Sequence, residues 1–137
     1  MKRRAFLQGS AMLGAVTLLG ACASAESLKE ARGEGVKRTY REAYDAVYSA
    51  VLRAAPKRKL EIVSAERQSG VVVLASGPSL GSLGERIGVL LLRLGERATS
   101  VEIVVKPIVP TISFTRDWPS LLFGEIEEEM TAQRLTR

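Results

Sequence analysis

Apolar and polar positions change period several times along the chain, and each change marks an element. Residues 11 to 21 are small or apolar almost without interruption. Further on, Tyr40, Tyr44, Val47, Tyr48, Val51 and Leu52 recur at helical spacing, while Arg41, Glu42, Asp45, Ser49 and Arg53 take the opposite side. Thr39 to Glu42 fits a capping box, with Thr39 accepting from an amide of the first turn and Glu42 reaching back. Pro56 is the predicted stop of this first helix.

The period then shortens. Leu60 to Ala65 reads as a strand, Arg67-Gln68-Ser69-Gly70 as a turn whose glycine tolerates positive φ, and Val71 to Ala75 as a β-branched answering strand. Arg86 to Leu94 and Thr99 to Lys106 predict a second hairpin about Gly95-Glu96-Arg97. Val101, Ile103 and Val105 alternate with Glu102 and Val104, which suits a sheet with one face covered. Val36-Lys37-Arg38 predicts a further short strand before the first helix. Pro107 and Pro110 keep residues 107 to 115 out of a central strand. A closing helix begins at Asp117 or Trp118, with Pro119 early enough to waste no amide. Its apolar stripe is Trp118, Leu122, Phe123, Ile126 and Met130. The expected class is α+β, an antiparallel sheet of about four to six strands packed against an N-terminal and a C-terminal helix.

The beginning of the chain carries a different kind of signal. Met1-Lys2-Arg3-Arg4 is basic, the apolar run that follows is shorter than the ~20 residues of a spanning helix, and Leu19-Gly20-Ala21 precedes Cys22. The order resembles a bacterial lipoprotein signal peptide, in which the cysteine is lipidated and becomes the first mature residue. Arg3, Arg4, Phe6 and Leu7 also resemble the twin-arginine export motif, with ordinary Sec export as the alternative. The expected organisation is a signal peptide over 1–21, a lipidated cysteine and flexible tether over 22–35, and one domain over 36–137. The tether is read from its Ala, Ser, Glu and Gly content, with Leu28 its one bulky apolar residue; a short helix around Ser27 to Arg32 is the competing reading. Ala23 follows the cysteine in place of an Asp, which leaves outer-membrane sorting, facing the periplasm, as the expectation for a Gram-negative cell and the cell membrane otherwise. Each buried CH₂ of an attached acyl chain contributes about 0.8 kcal/mol, so two or three chains hold firmly where one holds marginally.

Composition mostly removes alternatives. The formal charge of +5 invites a nucleic-acid partner, but Lys2, Arg3 and Arg4 fall in the segment to be removed. Of 20 basic side chains 17 remain against 15 acidic ones, a balance that requires no anionic polymer. There is no histidine, which lowers the expectation of acid–base or metal chemistry. The single cysteine cannot form an internal disulfide. No cofactor and no metal ligand set is expected, and no enzymatic activity.

Several stretches remain as candidates for binding or chemistry. Tyr44 and Tyr48 are candidate lining of a ligand cleft between the sheet and the first helix, against a reading as core. Gly77 to Gly84 is glycine-rich but lacks the Gly-Lys-Ser/Thr ending of a phosphate loop and joins two strands, so it reads as a mobile connection. Glu125, Glu127, Glu128 and Glu129 read as a solvated acidic face and not as a cation site. Glu61 and Glu102 are the carboxylate pair a hydrolase would need. Ile108, Val109, Ile112 and Phe114 would make an apolar partner surface if exposed.

A Tyr-rich first helix from Tyr40 to Ala54 is followed by a strand running into a glycine turn, Leu60 to Gly70. A valine-rich strand comes next, and then Thr99-Ser100-Val101-Glu102-Ile103. This succession resembles the helix-grip domains of BamC-type lipoproteins of the outer-membrane assembly machinery and related lipoproteins, over roughly residues 36 to 135. The resemblance implies a helix-grip fold, supplies no catalytic residues, and lacks a second grip domain. The expected function is a membrane-anchored lipoprotein that binds protein or envelope partners. A small-molecule or lipid carrier is the alternative.

Overall fold

A computed structural model describes residues 25–79, 83–109 and 116–136. The helical residues 25–30 are called α1. They are followed by β1 (Val36–Tyr40), α2 (Tyr44–Lys57), β2 (Glu61–Glu66), β3 (Val71–Ala75), β4 (Glu85–Gly95), β5 (Ala98–Pro107) and α3 (Trp118–Leu135). The five strands form one antiparallel sheet in the order β1-β5-β4-β3-β2. The chain lays down one edge with β1, crosses by α2 to the far edge, and returns as a meander that ends beside β1. The fold is α+β, with its sheet packed against an N-terminal and a C-terminal helix.

Alternation along the strands assigns side chains to two faces. Val72, Leu74, Ile87, Val89, Leu91, Val101 and Ile103 point to the face that carries α2 and α3. Tyr44, Val47, Tyr48, Val51 and Ala54 come down from α2, and Leu122, Phe123, Ile126 and Met130 from α3. The opposite face presents Val71, Val73, Leu90 and Val104, and these are buried too, beneath Leu28 and Ala31. Leu28 is 1 % exposed. It fits because residue 88 of β4 is glycine: a Cβ there would lie 3.1–3.3 Å from Leu28 carbons. The expectation of one covered face therefore gives way to two covered faces. That is why β3 reads Val-Val-Val-Leu-Ala with every residue buried and no alternation.

Glu102 belongs to the second face and is 2 % exposed. Its Oε1 accepts from the backbone amides of Gly33 at 2.5 Å and Gly35 at 3.0 Å. A buried carboxylate satisfied in this way is tied to the segment that covers it. Over residues 25–35 the stretch expected to be a spacer thus has an apolar anchor, Leu28, and a polar one, the Glu102 carboxylate.

Three local expectations are corrected by neighbouring structure. The capping box of Thr39 and Glu42 does not form: β1 pairs with β5 through Tyr40↔Thr99, so Thr39 is in the ladder. The helix starts at Tyr44, with Ala43 at the N-cap and no side-chain cap, and Glu42 instead pairs with Arg134 of α3 at 3.1 Å. Pro56 does not stop α2, which runs through it to Lys57. In the last turn a proline removes one amide and leaves the cap intact. The helix is closed by Lys59, at φ +58. Its amide donates to the Pro56 carbonyl and that of Leu60 to Ala55, both at 3.0 Å. This is a Schellman motif with lysine where glycine is usual. The turn after β2 is as expected, with Gly70 at φ +71.

On α3, Asp117 caps the helix by accepting from the Ser120 amide at 3.3 Å. Its acidic face is not simply solvated. Glu125 and Glu129 are buried, one turn apart, facing α2. Arg58 Nε lies 2.8 Å from Glu125, and Glu129 is paired with both Arg53, at 3.2 Å, and Lys57. The Lys57 hydrogen bond outweighs desolvation and holds the Glu129 carboxyl below the ordinary carboxylate range.

Candidate functional site

The signal-like residues Arg3, Arg4, Phe6, Leu7, Leu19, Gly20, Ala21 and Cys22 lie outside the described residues. Ile112 and Phe114 of the apolar stretch lie outside them as well; Ile108 is described and half-exposed. Among the described residues no helix is long and apolar enough to cross a membrane.

Tyr44 and Tyr48 are brought together, but mainly as core. They are 7 % and 6 % exposed, with rings 6.2 Å apart and nearly parallel. The Tyr44 hydroxyl donates to the Arg67 carbonyl at 2.6 Å, and burial pushes its phenol above the usual range. The Arg93 guanidinium covers the Tyr44 ring at 4.7 Å, and that of Arg67 lies 5.6 Å from the Tyr48 ring. Arg67 is held in turn by Asp45 at 2.8 Å. The space between α2 and the sheet beneath these rings is filled by Val47, Val51, Val89 and Leu91. A hollow of about 450 Å³ lies open where Tyr44 meets Arg67, Arg93 and Leu92. Tyr44 lines it and Tyr48 does not.

Glu61 and Glu102 are not brought together. Glu61 lies exposed on edge strand β2, and β3 and β4 separate it from β5, a gap of roughly 14 Å at the usual strand spacing. With Glu102 committed to two backbone amides, the pair has no common substrate position.

The second hollow was not singled out by any sequence motif. It lies where the C-terminal end of α2, the start of α3 and the connection after β3 meet. Its volume is about 230 Å³, and Arg58, Lys59, Ser79, Glu85, Arg116 and Trp118 are among its lining residues. Its floor is built by the strand ends. Ser76 donates its amide to the Glu85 carbonyl at 3.0 Å, and its hydroxyl accepts from the Glu85 amide at 2.8 Å. The same hydroxyl donates to the Glu85 carboxylate, which also accepts from the Trp118 indole at 3.2 Å. Glu85 is 3 % exposed, so its carboxyl group meets its polar partners inside the fold. The result fastens the first residue of α3 to the β3–β4 hairpin.

Cations surround that floor. Arg58 is paired with Glu125, whereas Lys59 and Arg116 have no acidic partner among the described residues. Arg116 lies 5.8 Å from the Trp118 ring. Gly77, Pro78 and Ser79, from the loop without a phosphate motif, form one wall. Among the described residues no group of three or more acidic, histidine or cysteine side chains is placed to hold a metal ion.

No protein-family model and no curated protein matches the sequence. Among solved structures, the chain is similar to the crystal structure of TTHA0849 from Thermus thermophilus. The match has a TM-score of 0.43 and 13 % identity, and covers 72 % of this chain and 96 % of that one.

Proposed function

We propose that this chain is a lipoprotein whose Cys22 holds a single non-catalytic binding domain against a membrane, where it engages protein or envelope partners. The observation that carries the reading is the ordered leader: Arg3-Arg4, an apolar run, then Leu19-Gly20-Ala21-Cys22. Its position relative to the fold adds to it. Only Ala23 and Ser24 separate Cys22 from α1, whose Ala25 already packs against the second sheet face. Three Cα–Cα steps span at most about 11 Å. An anchor at Cys22 would therefore keep the domain close to the lipid surface, not extended from it on a spacer. In a cell with an outer membrane the expected site is its periplasmic side.

Binding without catalysis is supported by the absence of histidine and by the separation of Glu61 from Glu102. The carrier alternative needs an open space beneath α2, and that space holds packed side chains. Fractionation of cells expressing the Cys22→Ser variant tests the anchor. The variant should leave the membrane fraction, and one processed and retained like the wild type would refute the reading. Chemical cross-linking of envelopes tests the partner: recovery of no partner above background would count against it.

A further inference from the structure

Lys59 occupies a backbone conformation that costs a lysine free energy. At φ +58 its Cβ crowds the following carbonyl, and this Schellman position is ordinarily given to glycine. Strain of this kind is a reason to ask what the side chain does there. Its ammonium has no ion-pair partner among the described residues, yet it lines the 230 Å³ hollow together with Arg116, which also has none. Arg58 is neutralised by Glu125, and the one remaining carboxylate of the lining, Glu85, is on the floor. The rim therefore keeps two cations, Lys59 and Arg116, above a single floor carboxyl group. Hydroxyl and indole donors already engage the floor carboxylate, so it does not need the rim cations for its own stability.

We infer that this hollow is a binding site for a small ligand bearing an oxyanion group, phosphate or carboxylate, held between Lys59 and Arg116 with the Ser79 side of the loop as its wall. A guanidinium offers a planar fork to either oxyanion, and an ammonium adds a point charge with three donors. The volume admits a compact ligand and excludes a lipid chain. The site is independent of the anchor at Cys22.

Trp118 is the sole tryptophan of the chain and its indole nitrogen lies in the floor, so its N–H resonance is a unique reporter. Full chain purified in detergent is titrated with inorganic phosphate and, separately, with acetate, at constant ionic strength against chloride. The expected result is a saturable shift of the indole resonance with at least one of the two anions, and the better one identifies the ligand class. Lys59→Gly should raise the melting temperature while weakening that binding about tenfold, the worth of one charge-assisted hydrogen bond. Arg116→Gln should weaken binding similarly with the melting temperature unchanged. Absence of a saturable shift with both anions would overturn the proposal. So would unchanged affinity in both variants, since a lysine and an arginine kept only for folding or solubility would give that result.

Discussion

Leu28→Ala removes the largest apolar side chain that α1 places on the second sheet face. The leucine is 1 % exposed and packs among Val71, Val73, Leu90 and Val104, directly over Gly88. Losing three buried carbons costs about 2.4 kcal/mol in transfer free energy at ~0.8 kcal/mol each. An unrelaxed cavity would add to this, and Leu→Ala substitutions in well-packed cores reach about 2.7–5 kcal/mol. Here a ceiling applies, because α1 can detach as a unit. It is short, and beyond Leu28 its attachments among the described residues are Ala25, Ala31, the weak Lys106–Ser27 contact and the Glu102 bonds to Gly33 and Gly35. Once detachment costs less than holding the cavity open, the loss stops growing, so the expected destabilisation is about 2–3 kcal/mol. In urea, with a slope of about 1–3 kcal/mol per molar for a small domain, the midpoint should fall by about 1 M or more. Hydrogen exchange gives a second readout. The Gly33 and Gly35 amides should lose protection together, while amides between β3 and β4 lose it only as global stability falls. A destabilisation below about 0.5 kcal/mol, with those two amides already unprotected in the wild type, would refute the packing argument and restore residues 25–35 as a spacer.

The Glu129 carboxyl is held below its unfolded-state value by Lys57 and Arg53, so its contribution is present above the unfolded pKa and is lost as the pH falls through the folded one. Glu129→Gln should therefore cost about 1–2 kcal/mol near pH 7, and the gap from wild type should narrow progressively as the pH falls below the unfolded-state value of a glutamate. Urea midpoints across that range decide it, and a gap that does not narrow would show that packing, not charge, is at stake. Lys59→Gly should stabilise the fold by about 1 kcal/mol through relief of its left-handed backbone; calorimetry showing destabilisation would contradict the strain. Tyr44→Phe removes the 2.6 Å bond to the Arg67 carbonyl and should cost about 1 kcal/mol in chemical denaturation. An unchanged midpoint would mean that water replaces the phenol at no loss.

Much of the architecture was legible because it follows from periodicities that nearby residues carry. Val71 to Ala75, the turn at Gly70, the hairpin about Glu96 and the stripe of α3 are local statements about alternation, turn chemistry and helical spacing. Their extents shift only where a partner strand lengthens or shortens a ladder. The Tyr44–Val47–Tyr48–Val51 stripe specified a buried helix face, and a buried face it is. The order Arg3-Arg4, apolar run, Leu19-Gly20-Ala21-Cys22 is a linear pattern and reads the same whatever the fold.

The tertiary structure decided everything that depends on which distant segment arrives. Thr39 and Glu42 suit a capping box locally, but the β1–β5 ladder takes Thr39 and Arg134 takes Glu42, since pairing across the sheet competes with a local cap. Four clustered glutamates look solvated until α2 brings Arg53, Lys57 and Arg58 against two of them. A lone leucine among Ala, Ser and Glu gives no helix-length stripe, yet Gly88, sixty residues away, leaves a recess that fits it. The cavity over Ser76, Glu85 and Trp118 is assembled from three separate stretches with no motif in any of them. Short-range order is written in neighbouring residues, whereas a site or a covered face is a coincidence of segments brought together by the sheet's register.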